Sequence, residues 1–263
     1  MKWAGGKSLL FPQIMALVPP DERKGAFIEP FVGSGVVALN APFERIVIND
    51  TNEGLMLLWT ELKWGQEDFI EECRELFTGE FNNQVSFQTI RASFNKQPCG
   101  KYFLYLNRHC FNGLCRFNLK GEFNVPFGKY DKPYFPEKEL REALLVLKKT
   151  RMYQLDFGDM MNMAEEGDVV YCDPPYLPLS DTSNFTAYSK GGFSMDDQVR
   201  LVDRALRLRD RGATVIISNN DTPLARNLYK KADHIHFLQV AKRISCKADG
   251  RKKSGELMAV YRP

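Results

Sequence analysis

Two β-rich runs joined by a glycine loop constrain this chain more than any other feature. Gly25-Ala26-Phe27-Ile28-Glu29-Pro30-Phe31 leads into Val32-Gly33-Ser34-Gly35-Val36-Val37-Ala38, and Arg45-Ile46-Val47-Ile48-Asn49-Asp50 follows. The pattern predicts strand, glycine loop, helix, strand, which is the opening of an open α/β sheet. Gly33, Gly35 and Ala38 fit G-x-G-x-x-A, a fingerprint in which the glycines let backbone approach a nucleotide. Asp50 ends the second strand at about the spacing from which an acid reaches ribose hydroxyls. Together these indicate an adenosine-containing cofactor. They do not by themselves separate a nicotinamide dinucleotide from S-adenosylmethionine.

A second run points to the reaction. Asp168-Val169-Val170-Tyr171-Cys172 reads as a buried parallel strand, and Asp173-Pro174-Pro175-Tyr176 follows at its carboxyl end, where open α/β sheets bind ligands. Neither proline can donate to a ladder, so the turn is stiff and leaves carbonyl acceptors available. The Asp173 carboxylate adds a further acceptor and Tyr176 a flat face. Acceptors beside an aromatic plate suit a planar ring with an exocyclic amine, adenine being the obvious case. An ordinary strand-to-loop turn over a buried tyrosine accounts for the four residues as well.

Composition narrows the class. The chain has 263 residues, 44% hydrophobic and 26% charged, enough for one large α/β domain or a core carrying an insertion. No apolar run reaches membrane-spanning length, and the start, Met1-Lys2-Trp3-Ala4-Gly5-Gly6-Lys7, has no signal-peptide core, so a cytoplasmic location is expected. The 6 cysteines form no C-x-x-C pair, and 3 histidines make no convincing metal site, so no metal is expected. His234 and His236 alternate on a predicted strand and are taken as structural. The net charge of +3 is unevenly placed. Residues 53–80 are acid-rich, while 84–134 and the cluster Lys242, Arg243, Lys247, Arg251, Lys252 and Lys253 are basic, as for a polyanion bound on one side. A pair of solvated faces gives the same pattern.

Between the two motifs, helices are predicted over 52–80, as two apolar faces, and over most of 84–108. Asn112-Gly113 is a strong turn signal. Arg116–Leu119 and Phe123–Val125, joined through Lys120-Gly121-Glu122, read as a β-hairpin closed by Pro126-Phe127-Gly128-Lys129-Tyr130. The α/β rhythm resumes with a helix at 140–147 and a strand at 151–155. A helix over 195–208 carries Leu201, Ala205 and Leu208 inward, and strands follow at 212–218, 235–240 and 256–261. Residues 177–193 form a long polar loop, a length uncommon unless functional.

The ordered set of motifs closely resembles the Dam DNA adenine-N6 methyltransferases. It comprises Lys2-Trp3-Ala4-Gly5-Gly6-Lys7, Glu29–Gly35, Asn107-Arg108, Asn112–Arg116, Gly121–Gly128 and Tyr171–Tyr176. The likeness continues through Asn184-Phe185-Thr186-Ala187-Tyr188, Ile217-Ser218-Asn219 and Arg243-Ile244-Ser245. The order, glycine loop before and D-P-P-Y after the recognition segment, is that of the α group. The resemblance implies a class I S-adenosylmethionine-dependent fold, a seven-stranded, mostly parallel sheet with helices on both faces. Residues 1–55 and 145–263 would form the catalytic domain and 56–144 an inserted, mainly helical target-recognition domain with a hairpin. It implies methylation of N6 of adenine in double-stranded DNA at 5′-GATC-3′, with base flipping and no obligate protein partner, in the cytoplasm and on the nucleoid. Trp3, Lys7, Phe31, Gly33, Gly35, Asp50, Asp156, Phe157 and Asp173 would hold the cofactor, and Asp173, Pro174, Pro175 and Tyr176 would carry the reaction. Lys2, Asn112, Leu114, Arg116 and Pro126 would read bases, with Arg91, Asn124, Lys129 and Tyr130 nearby on DNA. The chain starts almost at the first motif, so DNA contacts from preceding residues are expected to be missing. Asp131 stands where relatives can carry a base, so one backbone contact is expected to be lost.

Other chemistries leave residues without a role. A dehydrogenase would share the glycine loop but has no use for D-P-P-Y or the Trp-Ala-Gly-Gly-Lys start. A catalytically dead DNA-binding module would keep the hairpin but would not need Asp173 to Tyr176. A cytosine-C5 enzyme needs a nucleophilic cysteine, and Cys172 lies inside a strand. Cytosine-N4 methylation is the nearest rival, since its amine poses the same chemical problem.

Overall fold

The computed structural model describes residues 1–3, 5–177, 192–240 and 254–263. In chain order the elements are α1 (Phe11–Ala16), β1 (Ala26–Glu29), β2 (Arg45–Asn49), α2 (Glu53–Glu75), α3 (Gln84–Lys96) and α4 (Gly100–His109). They continue with α5 (Glu137–Leu147), β3 (Thr150–Tyr153), α6 (Phe157–Asn162), β4 (Val169–Cys172), α7 (Met195–Asp210), β5 (Thr214–Asn220), α8 (Pro223–Leu228), β6 (His234–Val240) and β7 (Ser254–Tyr261). The strands form a seven-stranded sheet in the order β3-β2-β1-β4-β5-β7-β6. β2 runs parallel to β3, and β4 lies parallel between β1 and β5. β7 is antiparallel to both β5 and β6. This is the α/β, mostly parallel sheet expected.

The chain packs as two compact units, Met1–Leu17 with Val32–Asp156 and Val18–Phe31 with Phe157–Pro263. The segment 56–144 lies wholly within the first. In that unit α2 starts at Asn52, whose side chain accepts from Leu55 N–H, and buries Leu55, Leu58, Trp59 and Leu62. This is the apolar stripe of an amphipathic helix. Gln66 then leaves the helical region at φ 51 and ψ −126, so α2 is two helical stretches, the second burying Phe69, Ile70 and Cys73. The two apolar faces read from the sequence correspond to these stretches.

One local expectation needs correction. No α-helix follows the glycine loop; a single 3-10 turn, Ala38–Asn40, stands there. Pro42 forces Ala41 into extended backbone (φ −65, ψ 130), so the helix cannot propagate. The hairpin is short: Phe117 and Phe123 form a bridge flanked by Asn118 N–H donating to the Glu122 carbonyl at 2.9 Å and Asn124 N–H donating to the Arg116 carbonyl at 3.2 Å. Phe123 turns its own backbone groups away from Phe117, where Asn95 of α3 accepts its N–H at 2.8 Å and donates to its carbonyl at 3.2 Å, so the hairpin's outer edge is tied to α3.

In the second unit β4 and β5 are buried along their whole length, which is why β4 and the Val215–Ile217 part of β5 read as apolar runs. α7 opens with a reciprocal capping box between Ser194 and Asp197 and buries Leu201, Ala205 and Leu208. His234 and His236 both lie exposed on β6. Residues 178–191 and 241–253 lie outside the described residues. They include most of the predicted polar loop, Asn184–Tyr188, Arg243–Ser245 and the second basic cluster. No helix among the described residues is long and apolar enough to cross a membrane.

His109, at the end of α4, is fully buried, with Nδ1 bonded to the Tyr105 carbonyl at 2.9 Å and its ring stacked on Tyr105 at 3.9 Å. Burial holds its pKa down at about 4. The unfolded chain therefore takes up a proton near the ordinary histidine value of about 6.5 that the folded chain refuses, and stability falls as pH drops from there towards 4. The full effect is roughly 3 kcal/mol. Urea melts of the wild type and His109→Phe between pH 7 and 4 should show a clearly shallower slope in the variant. Equal slopes would mean that His109 titrates alike in both states.

Candidate active site

The first unit fastens the glycine loop around the end of β2. Asp50 Oδ2 accepts Gly33 N–H at 3.0 Å and Oδ1 accepts Asn52 N–H at 2.9 Å, so the carboxylate ties the glycine loop to the start of α2. Val32 N–H donates to the Asn49 carbonyl at 2.9 Å and fixes the same loop from the strand. Gly33 has φ +46, and a Cβ there would meet Trp3 Nε1 at 2.6 Å, so the indole lies directly on the loop. Burial raises the Asp50 pKa, while N–H groups of Asn52, Gly33 and Thr51 pull it back. A carboxylate has about four lone-pair sites, enough to receive ribose hydroxyls beside these backbone donors. Lys7 is buried, its Nζ donating to the Gly5 carbonyl at 2.7 Å. At the end of β3 the Asn49 amide holds Leu155 on both sides, accepting its N–H at 2.8 Å and donating to its carbonyl at 3.0 Å, which places the neighbouring Asp156.

The second unit contains an aromatic group and the D-P-P-Y turn. Phe31 stacks on Phe157 at 5.3 Å, Phe193 closes on both rings, and the Arg200 guanidinium sits 4.1 Å over Phe157. Phe193 and Arg200 carry no motif that would have marked them.

The turn leaves β4 with Asp173 half-buried, Pro174 buried and Pro175 exposed. Four side chains fasten it. Gln198 Nε2 donates to the Pro175 carbonyl at 2.9 Å. Asn219 Oδ1 accepts Leu177 N–H at 2.9 Å, and Asn220 Nδ2 donates to the Leu177 carbonyl at 2.7 Å. Tyr176 Oη donates to Glu256 Oε2 at 3.0 Å. Behind these, Tyr229 Oη donates to Gln198 Oε1 at 3.1 Å and accepts from Asn219 Nδ2 at 2.8 Å. Gln198 and Asn219 are fully buried and mutually satisfied, the condition under which a buried polar network rigidifies a site. Burial first, then the charges of Asp173 and Glu256, raise the Tyr176 phenol well above its ordinary value, so the ring stays neutral. Gln198, Asn220, Tyr229 and Glu256 were not foreseen. The polar run Ser218-Asn219-Asn220 in a fully buried strand was the available signal.

The segment around Asn112-Gly113 lies in the first unit. Both residues take positive φ, 54 and 63. Asn112 N–H donates to Tyr130 Oη at 2.9 Å, and Lys2 Nζ sits 4.1 Å from the Tyr130 ring centroid. Leu114 and Arg116 are exposed. Arg116 Nε donates to Asn124 Oδ1 at 2.8 Å and Nη2 to the Asn124 carbonyl at 3.3 Å, so Asn124 aims the guanidinium. Pro126 is exposed, its carbonyl accepting Phe111 N–H at 2.8 Å. Lys129 is exposed at φ 53. Arg91 braces the loop from α3 through the Val125 carbonyl at 3.4 Å.

The family description "D12 class N6 adenine-specific DNA methyltransferase" matches residues 3–244. The chain belongs to that family. Among curated proteins, the DNA adenine methylase of Escherichia coli strain K12 is 43% identical over 267 residues, covering 100% of this chain and 95% of that protein. That of Serratia marcescens is 44% identical over 267 residues, covering 100% and 97%. That of Vibrio cholerae serotype O1 (strain ATCC 39541) is 41% identical over 268 residues, covering 100% and 95%.

This D12-class enzyme is an adenine-specific DNA methyltransferase using S-adenosylmethionine. Its fold is the class I methyltransferase fold. Cys172 agrees with transfer without a covalent enzyme adduct, since full burial raises its thiol pKa well above the ordinary range. Among the described residues no group of three or more His, Cys, Asp or Glu could hold a metal.

Replacing Asp50 tests whether the loop it fastens takes part in cofactor binding. Asp50→Ala should weaken S-adenosylmethionine by about 2 kcal/mol, the scale of hydrogen bonds to a charged group, with duplex affinity little changed. Calorimetric titration of the cofactor reads this. An unaltered affinity would remove Asp50 from the site.

Proposed function

We propose that this enzyme methylates N6 of adenine in double-stranded DNA at 5′-GATC-3′, by flipping the base and transferring the methyl group in line. The observation that carries the reading is the D-P-P-Y turn at the end of β4, clamped by Gln198, Asn219, Asn220 and Glu256. Because Gln198 takes the Pro175 carbonyl, the acceptors assigned to the substrate amine are the Asp173 carboxylate and the Pro174 carbonyl. The N6 lone pair of adenine is conjugated with the ring. Hydrogen bonds from its two protons to those acceptors localise it, Tyr176 stacks on the base, and once the N–C bond has formed the amine sheds one of these protons to give neutral N6-methyladenine. Adenine cannot reach such a turn inside a duplex, so it must leave the stack. The bound cofactor supplies an electrophilic sulfonium methyl. The chain's part is to hold amine and cofactor in line, and positioning of this kind is a large share of catalysis.

Cofactor binding is assigned to Trp3, Lys7, Gly33, Gly35 and Asp50, with Phe31, Asp156, Phe157 and Asp173. Base reading is assigned to Lys2, Asn112, Leu114, Arg116 and Pro126, with Arg91, Asn124, Lys129 and Tyr130 supporting or meeting DNA. Functionally, 1–55 and 145–263 carry catalysis and 56–144 recognition. No metal and no obligate protein partner enter this reading, and the enzyme acts in the cytoplasm on the nucleoid. The test is to incubate unmethylated duplex with enzyme and S-adenosylmethionine, digest with nucleases that distinguish methylated from unmethylated GATC, and identify the modified nucleoside by mass. N6-methyladenine confined to GATC supports the reading. N4-methylcytosine, or methyladenine outside GATC, overturns it.

A further inference from the structure

We propose that Asn107 is a specificity-positioning residue, holding the Lys2 backbone against the Asn112-Gly113 turn so that the base-reading groups keep one geometry. The inference rests on the assignment of Lys2, Asn112 and Arg116 to base recognition.

Asn107 lies in the last turn of α4, only 1% exposed. Its Oδ1 accepts Lys2 N–H at 3.1 Å, and its Nδ2 donates to the Lys2 carbonyl at 2.8 Å and to the Gly113 carbonyl at 3.4 Å. One amide thus satisfies both backbone groups of a residue 105 positions away, as a paired strand would, and reaches the recognition turn as well. One acceptor faces a donor and one NH2 faces two acceptors, which fixes the amide's orientation.

The contact continues through Lys2. Gly113 has φ +63, and a Cβ there would meet Lys2 Cδ at 2.4 Å, so the Lys2 chain lies flat across the turn. Lys2 Nζ then sits 4.1 Å from the Tyr130 ring centroid, and Tyr130 Oη accepts Asn112 N–H at 2.9 Å. Asn107, Lys2, Tyr130, Asn112 and Gly113 therefore form a closed circuit. Its only fully buried side chain is Asn107, which meets no DNA itself. Asn107 acts through the others.

Only an amide fits. Aspartate keeps the bond to Lys2 N–H but sets an oxygen against two carbonyls, and serine is too short to span all three groups. Asn107→Asp and Asn107→Ser should each lower kcat/KM on GATC and narrow discrimination against single-substituted duplexes by about tenfold, the scale of one good base contact. S-adenosylmethionine affinity by calorimetry should hold. Gly113→Ala pushes Lys2 off the turn while leaving Asn107 intact, and should narrow discrimination similarly even if the Asn107 variants fail to fold. A common slowing of every duplex in these variants, or lost cofactor affinity with discrimination intact, would overturn the inference. Arg116→Ala run alongside separates the levels. If it leaves discrimination unchanged, the base-reading assignment itself fails. If it narrows discrimination and the Asn107 and Gly113 variants do not, only the present inference fails.

Discussion

Asp173→Ala should reduce methyl transfer by on the order of 10³-fold, the scale on which enzymes lose rate when a preorganised hydrogen-bonding partner of the reacting group is removed. Duplex affinity should stay near that of the wild type. Asp173 follows the last residue of β4, half-buried, in a turn whose fastening runs through the Pro175 carbonyl, the Tyr176 hydroxyl and the Leu177 backbone. Truncating the carboxylate leaves those bonds in place, and a thermal melt of the variant checks that the loss falls on kcat and not on folding. Asp173→Asn keeps one acceptor oxygen but loses the charge and introduces an NH2 group, and should fall between the two. Single-turnover methylation with a fluorescence-anisotropy binding curve on the same duplex separates the steps. Near-normal turnover in Asp173→Ala would leave the amine without its proposed partner. Proportionate loss of DNA binding would make Asp173 a residue of docking.

Much of this site was legible because the sequence states its strongest constraints locally. A strand buried on both faces is mostly apolar, so β4 and the Val215–Ile217 part of β5 stood out. Two consecutive prolines can only end such a strand, which located the turn. The acid ending β2 and the glycine loop were also visible, and the structure joins them through the bond from Gly33 N–H to Asp50. What remained hidden depends on partners distant in sequence. Gln198 is one polar residue in an amphipathic helix, and nothing local says that its amide reaches Pro175. Asn107 likewise looks like an unremarkable position in α4 until Lys2 is folded against it. The missing helix after the glycine loop was a local error, since Pro42 was in view. The hairpin was legible, and only its tie to α3 through Asn95, a partner distant in sequence, was not.

Specificity should respond differently at Arg116 and Lys132. The Asn112-Gly113 turn presents Leu114 and Arg116 on the exposed surface, and Asn124 takes Nε and one Nη2 bond of the guanidinium, leaving further N–H groups of the fork for a partner. A guanidinium so held can donate two hydrogen bonds to a base edge, and a leucine beside it can pack on a thymine methyl. Removing such a contact costs roughly 1–3 kcal/mol of discrimination. Arg116→Ala should therefore lower kcat/KM on GATC and raise relative activity on duplexes altered at one base pair. Asn124→Ala should shift discrimination the same way by less, since it leaves the guanidinium charge in place but unaimed. Lys132 is exposed beyond the hairpin, where we propose that it meets the phosphate backbone, so Lys132→Ala should weaken all sequences about equally and reduce the salt dependence of binding. Steady-state kinetics on a panel of single-substituted duplexes at fixed salt decides between these roles. A single common factor across the panel for Arg116→Ala would mean that Arg116 grips the backbone or braces the loop, and the base-reading assignment would fail.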